Sequence, residues 1–253
     1  MTVETRLEPR AKSVTELTVK LFADGADAAG MRELYRNPLI RGFTTNPTLM
    51  RKAGVTDYRV FARDILQVIS DRPISFEVFS DEFVEMERQA LEISQWGPNV
   101  YVKIPITNTR GESSYGLVRR LADRDVKVNV TAVFPLDQVV HILPALQNAA
   151  SSYVSIFAGR IADTGRDPVP IMAEAVELLR PYPNVELIWA SPRELLNVFQ
   201  ADAIGCHIIT ATHDILNKLN TVGKDLHQYS LETVKMFCED AQKARYALGT
   251  EGR

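Results

Sequence analysis

The sequence predicts an α/β fold, a single-domain (β/α)8 barrel with an extra C-terminal helix, on three observations. Eight apolar runs of strand length recur along the chain, and segments of helical periodicity lie between them. No Gly/Pro/Ser-rich linker divides the series, and 253 residues suit one barrel of this kind. An open doubly wound sheet is the alternative arrangement of the same units.

A charged leader, residues 1–18, precedes the first run, and the barrel is expected over 19–228. The runs are VKLFADG (19–25), IRGFTTN (40–46), ISFEVFS (74–80), NVYVKIPI (99–106), KVNVTAVF (127–134), YVSIFAG (153–159), VELIWAS (185–191) and CHIITAT (206–212). The fourth is typical: Val100, Tyr101, Val102, Ile104 and Ile106 are β-formers in near-continuous succession, as in a parallel strand buried on both faces. Helical spacing between runs is clearest in FVEMERQALEISQW, where Phe83, Met86, Ala90 and Ile93 recur on one side. Residues 229–253 form the C-terminal helix and tail; Leu231, Val234, Phe237, Ala241 and Ala244 make a stripe that covers the barrel or pairs with another subunit.

Composition excludes several function classes. A net charge of -3 leaves no basic excess for nucleic acid or anionic membrane. No apolar run approaches the roughly 20 residues of a membrane span, and MTVETRLEPRAKS lacks a signal-peptide core, so a cytoplasmic location is expected. Cys206 and Cys238 have no CxxC spacing, which points to reduced thiols.

Polar residues stand near the C-terminal ends of most runs, where barrels of this kind carry function. Asp24 ends the first, Thr44 to Asn46 the second, Glu77 and Lys103 fall in the third and fourth, and Asn129 and Thr131 in the fifth. Arg160 follows the sixth, and Ser191 and Arg193 the seventh. Strand alternation puts Asn129 with Thr131, and Tyr101 with Lys103 and Pro105, on shared faces. Each has an ordinary structural role available: a turn or cap for Asp24 and Asn46-Pro47, a buried ion pair of Glu77 with Lys103, core hydrogen bonds for Asn129 and Thr131, solvated charges for the arginines. Taken together at one end of one barrel they exceed what structure requires.

The chemistry they fit starts from the lysine. At an unperturbed pKa of about 10.4 a lysine is almost wholly protonated near neutral pH, whereas one desolvated by aliphatic neighbours is lowered toward ~7 to 8 and becomes a Schiff-base nucleophile. The protonated imine then accepts the electrons of a breaking C–C bond. Asp24 or Glu77 can move the required protons directly or through a water held by Thr131. Arg160, Arg193 and Ser191 suit a terminal phosphate.

The motifs ADGAD (23–27), GFTTNPTL (42–49), VKIP (102–105), NVTAVF (129–134), FAGRI (157–161) and ASPR (190–193) come in order on successive runs. Together they resemble the transaldolase family, in particular its short-chain branch that also contains the fructose-6-phosphate aldolases, from about residue 20 to 245. The resemblance implies Lys103 as the Schiff-base lysine, Asp24 as the acid/base and Thr131 as the holder of a proton-relaying water. It implies Asn46 and Asn129 as partners of the dihydroxyacetone hydroxyls, with Ser155 beside that unit; Thr44 is a further substrate-binding candidate. Arg160, Ser191 and Arg193 match the phosphate-binding set.

Glu77 stands where transaldolases carry glutamate, and Phe157 where the aldolases carry tyrosine, so both favour the transferase. The implied reaction moves dihydroxyacetone between sugar phosphates with no cofactor, in a homo-oligomer, pentamer or decamer. Departures cluster near the anionic end of the substrate: Thr48 for serine, Pro192 for phenylalanine and an altered RIADTGRDP. A sulfonate in place of phosphate, or an aldolase that releases free dihydroxyacetone, are the alternatives within this chemistry. A metal-dependent aldolase on His207, His213 and Cys206 and a noncatalytic sugar-phosphate-binding barrel are the rivals from other classes; the histidines lack a cluster.

Overall fold

The computed structural model describes residues 12–246, so the first eleven residues of the expected leader and the end of the expected tail lie outside the described residues. From the N-terminus the elements are β1 (Lys20–Asp24), α1 (Ala28–Tyr35), β2 (Ile40–Thr44), α2 (Pro47–Lys52), α3 (Tyr58–Leu66), β3 (Ile74–Glu77), α4 (Phe83–Ser94), β4 (Val100–Pro105) and α5 (Tyr115–Ala122). There follow β5 (Val128–Val133), α6 (Leu136–Leu146), β6 (Ser152–Ile156), α7 (Ala158–Ala162), α8 (Pro168–Leu179), β7 (Val185–Trp189), α9 (Leu196–Ala203), β8 (Ile208–Thr212), α10 (His213–Asn217) and α11 (Leu226–Lys243).

The eight strands pair in sequence order, all parallel, and β1 closes on β8 from Lys20↔Ile208 to Asp24↔Thr212. Closure rules out the open sheet and leaves no free strand edge, so the C-terminal ends of all eight strands form one ring. Every strand falls within or beside an expected run. The runs overshoot because residues such as Asn46 and Ser80 leave the ladder for the loops that carry polar groups.

Alternation along β4 shows how the wall is used. Val100, Val102 and Ile104 are fully or almost fully buried toward the helical layer, where Met86, Ala90 and Ile93 of α4 supply the apolar face expected of it. Tyr101 points the other way, into an interior cluster with Phe22, Tyr153, Ile188, Ala190 and Ile208, which places Lys103, two residues on, inside the barrel as well. Within that cluster the rings of Tyr101 and Tyr153 stack at 4.1 Å and Phe22 meets Tyr153 edge-on at 6.0 Å. The aromatic layer floors the barrel beneath the polar residues.

Residues 17–218 make the compact unit that holds the barrel. A second, smaller unit comprises the described residues 12–16 and 219–246, with a 3-10 turn at Val14–Glu16 and α11. Asp225 caps α11 by accepting from the Gln228 amide. No residue of α11 is buried; Leu231, Val234 and Phe237 of the expected stripe are all exposed.

Gly42 of β2 faces the floor. A Cβ there would stand 2.4 Å from Cζ of Phe22, a ring that is almost completely buried and held by Tyr153. Gly42→Ala is therefore expected to destabilise the protein by roughly 1–3 kcal/mol through overpacking, measurable as a lowered denaturation midpoint; an unchanged midpoint would show that the ring can yield.

Candidate active site

Above the aromatic floor lies a cavity of about 470 Å³ at the C-terminal ends of the strands. Lys103, on the inward face of β4, is only 5% exposed. Register puts it beside Glu77 of β3 on one side and Asn129 of β5 on the other. Its Nζ lies 3.2 Å from Glu77 Oε2 and donates to the Thr45 carbonyl at 2.9 Å. The lysine is buried as expected, but its polar neighbours differ from the aliphatic surroundings expected of it: they are a carboxylate and a carbonyl, partners suited to an ammonium. The ordinary ion pair and the cavity-facing amine are thus the same feature.

Asp24 ends β1 opposite Thr44, whose hydroxyl donates to its Oδ1 at 2.7 Å and lies 2.6 Å from the hydroxyl of Thr210. It is not the cap of α1; Asp27 does that by accepting from Gly30. Asn46, by contrast, caps α2 through the Leu49 amide, with Pro47 at the first helical position, and also lines the cavity.

On β5 the ladder to β6 shifts register between Val130 and Val133, and Ala132 adopts a left-handed backbone at φ 58°. Such a bulge re-aims the strand end, and both Thr131 and Ala132 line the cavity. Thr131 Oγ1 is buried without a hydrogen bond to any described residue, an unusual condition for a buried hydroxyl. Asn129, expected to touch a ligand, is not among the lining residues: its amide donates to Ser75 Oγ at 3.1 Å and its oxygen accepts from Ser155 at 2.7 Å. It supports Ser155, which does line the cavity.

The rim after β6 and β7 carries the expected cations. The Arg160 guanidinium lies over the Phe157 ring at 5.5 Å. Arg193 forms a two-pronged pair with Asp163, with Nε 2.8 Å from Oδ1. That pairing holds the Asp163 carboxyl below the usual range and shows Arg193 as an oriented cation with part of its hydrogen-bonding capacity in use. Ser191 is held at φ 58°, and a Cβ on Gly159 would fall 1.5 Å from its carbonyl oxygen, so glycine is required for α7 to approach this loop.

Sequence reasoning did not pick out Lys52 in the last turn of α2, Thr210 of β8, or Tyr58 at the start of α3. Lys52 and Thr210 line the cavity. A lysine ending a helix and a threonine in a strand are what those elements ordinarily contain, so neither carried a signal. His207, the metal-ligand candidate, accepts the Leu187 amide on Nδ1 at 3.1 Å just before β8 begins. Among the described residues no three His, Cys, Asp or Glu side chains are grouped to hold a metal ion, and no helix is long and apolar enough to cross a membrane.

The family model described as Transaldolase/Fructose-6-phosphate aldolase matches residues 21–248. A relative from Thermoanaerobacter sp. (strain X514), named "Probable transaldolase", is 34% identical over 89% of this chain and 98% of its own. Another with the same name, from Pelotomaculum thermopropionicum, is 33% identical over 90% and 99%. Among solved structures, 2,3-dimethylmalate lyase is similar with a TM-score of 0.54 at 11% identity, covering 95% of this chain and 89% of that one, which is a likeness of fold.

Asp24 opens only in part to the cavity, and the desolvation of its carboxyl pushes it above the ordinary value, outweighing the attraction of Lys103 and the Thr44 hydrogen bond. The folded chain therefore binds this proton more tightly than the unfolded chain. Its contribution to stability is present below the ordinary carboxylate value and is lost as pH rises through the raised one. Asp24→Asn, which cannot titrate, is expected to melt above wild type at neutral pH, with the gap closing in acid. Thermal melts across pH check this, and a variant less stable at neutral pH would contradict it.

Proposed function

The chain belongs to the transaldolase/fructose-6-phosphate aldolase family, and from that membership we propose that it is a transaldolase working through a Schiff base on Lys103. In this reading it moves a dihydroxyacetone unit from a ketose phosphate, of the fructose 6-phosphate or sedoheptulose 7-phosphate type, to an aldose phosphate. The observation that carries the reading is the buried Lys103 amine facing a polar cavity with Glu77 in contact and Asp24 electrostatically linked to both.

The residues divide the work as follows. Lys103 gives up a proton and attacks the ketose carbonyl carbon, and the carbonyl oxygen, once protonated, leaves as water to give an iminium. Asp24, whose raised pKa suits a group that both takes and returns a proton, accepts the hydrogen of the hydroxyl on the far side of the scissile bond. That bond breaks, the aldose leaves with a new carbonyl, and the electron pair becomes an enamine on the lysine nitrogen. The enamine adds to the acceptor aldehyde, and water releases the new ketose.

Thr131, with its buried hydroxyl uncommitted to any described residue, fits a water that relays protons to the carbinolamine. Ser155 and Asn46 face the hydroxyls of the three-carbon unit. Arg160, Arg193, Ser191 and Lys52 sit where the anionic end, phosphate or sulfonate, would reach. No cofactor enters this scheme. The reading includes a homo-oligomer, supported by the exposed apolar stripe of α11.

Borohydride reduction in the presence of fructose 6-phosphate is expected to add a dihydroxyacetone-derived mass to the peptide containing Lys103. Lys103→Ala should remove that adduct and lower kcat by at least about 10³-fold, as loss of a nucleophile does. A labelled peptide elsewhere sinks the proposed nucleophile, and binding without turnover in wild type would support the noncatalytic barrel. Glu77→Gln is expected to raise free dihydroxyacetone relative to transferred product several-fold, read by assaying both products; an unchanged ratio would leave the choice of transferase over aldolase to Phe157.

A further inference from the structure

The end of β3 is held in an unusual way. Parallel pairing of β2 with β3 runs through Phe43 N–H to the Pro73 carbonyl at 2.8 Å and Thr45 N–H to the Ser75 carbonyl at 3.1 Å. One step further the same ladder would take Glu77 N–H to the Thr45 carbonyl and bring an amide from residue 47 to the Glu77 carbonyl. Neither bond forms. Residue 47 is proline, which has no N–H, and the Thr45 carbonyl accepts from Lys103 Nζ.

Both Glu77 backbone groups instead meet one side-chain atom. The Tyr58 hydroxyl accepts from Glu77 N–H at 2.8 Å and donates to the Glu77 carbonyl at 2.9 Å. The ring is wedged edge-on among Phe76, Phe79 and Trp96, with centroids 5.5 to 6.1 Å away. Asp57 caps α3 through the Val60 amide, which sets where Tyr58 enters. Burial keeps the phenol protonated well above its ordinary range, so the donor is permanent.

We propose that Tyr58 is a positioning residue for the reaction: its hydroxyl replaces the missing β2 pairing, holds Glu77 at Lys103, and leaves the Thr45 carbonyl to the lysine. This deepens and rests on the transaldolase reading. Tyr58 is not itself among the residues lining the cavity and acts through Glu77, which is. An oriented carboxylate is worth most in the chemical step, because displacement by about 1 Å at a reacting centre can cost on the order of 10²-fold.

The test is a double-mutant cycle. Tyr58→Phe keeps the ring and its packing and removes only the hydroxyl; kcat for transfer is expected to fall roughly 10- to 100-fold with KM little changed. Placed in the Glu77→Gln background, the same substitution should lower kcat by less than about 2-fold, since independent effects would multiply instead. Equal losses in both backgrounds, or none in either, would overturn the proposal in favour of a purely structural tyrosine.

A crystal structure of Tyr58→Phe supplies a readout that does not depend on the reaction: the Glu77 carboxylate should move out of ion-pair distance of Lys103, and an undisturbed pair counts against the inference. Should the phenylalanine variant fail to fold, site-specific 3-fluorotyrosine, which weakens the hydroxyl as an acceptor, carries the same cycle with smaller expected losses. Failure of the transaldolase reading shows separately, as absence of a borohydride adduct on wild-type Lys103.

Discussion

An ammonium inside a barrel wall is tolerated only where the wall itself supplies counter-groups, and around Lys103 these come from the ends of two other strands. Glu77 supplies charge and Thr45 a carbonyl. Removing one member of such a pair strands the other without compensation, at about 3–5 kcal/mol. This constraint explains why three strand ends are locked in mutual register and why the loops after β2 and β3 depart from regular pairing at the same level.

The departures are linked. A carbonyl can serve the lysine because β2 stops at Thr44 and turns into a helix at Asn46-Pro47. That turn orphans the Glu77 backbone, and an aromatic residue from the next helix closes the gap. Across the ring the bulge at Ala132 aims the end of β5, while the left-handed Ser191 and the missing Cβ of Gly159 bring α7 against the β7 loop. Irregular backbone gathers at the mouth because regular ladders would use up the carbonyls and amides that the cavity needs.

Cavity polarity follows the same logic. Below Lys103 the interior is filled by stacked aromatic and aliphatic side chains. Above it Asp24, Thr44, Thr131 and Ser155 face one another across a space of metabolite size. The sharp boundary concentrates the electrostatic interactions of Asp24, Glu77 and Lys103, since the apolar floor limits screening from below. Arg160, Arg193 and Lys52 add positive charge to the same lining.

Much of this was legible in the residues. Eight apolar runs specified eight strands because buried parallel strands must be apolar on both faces, and polar exceptions near their ends marked the mouth, including Lys103, Glu77, Asp24 and Thr131. Closure of β1 on β8 was not legible, because an open sheet is built from the same local units. Nor were the hydrogen-bond assignments: Asn129 has the chemistry of a ligand partner yet serves Ser75 and Ser155, and Arg193 is shared with Asp163. By itself the sequence determined which chemical groups are present and at which strand ends, since hydrophobic periodicity is local. Only the tertiary structure decided which groups meet, above all that Tyr58 grips Glu77, because such a contact depends on where a helix lands against a strand and leaves no trace in spacing.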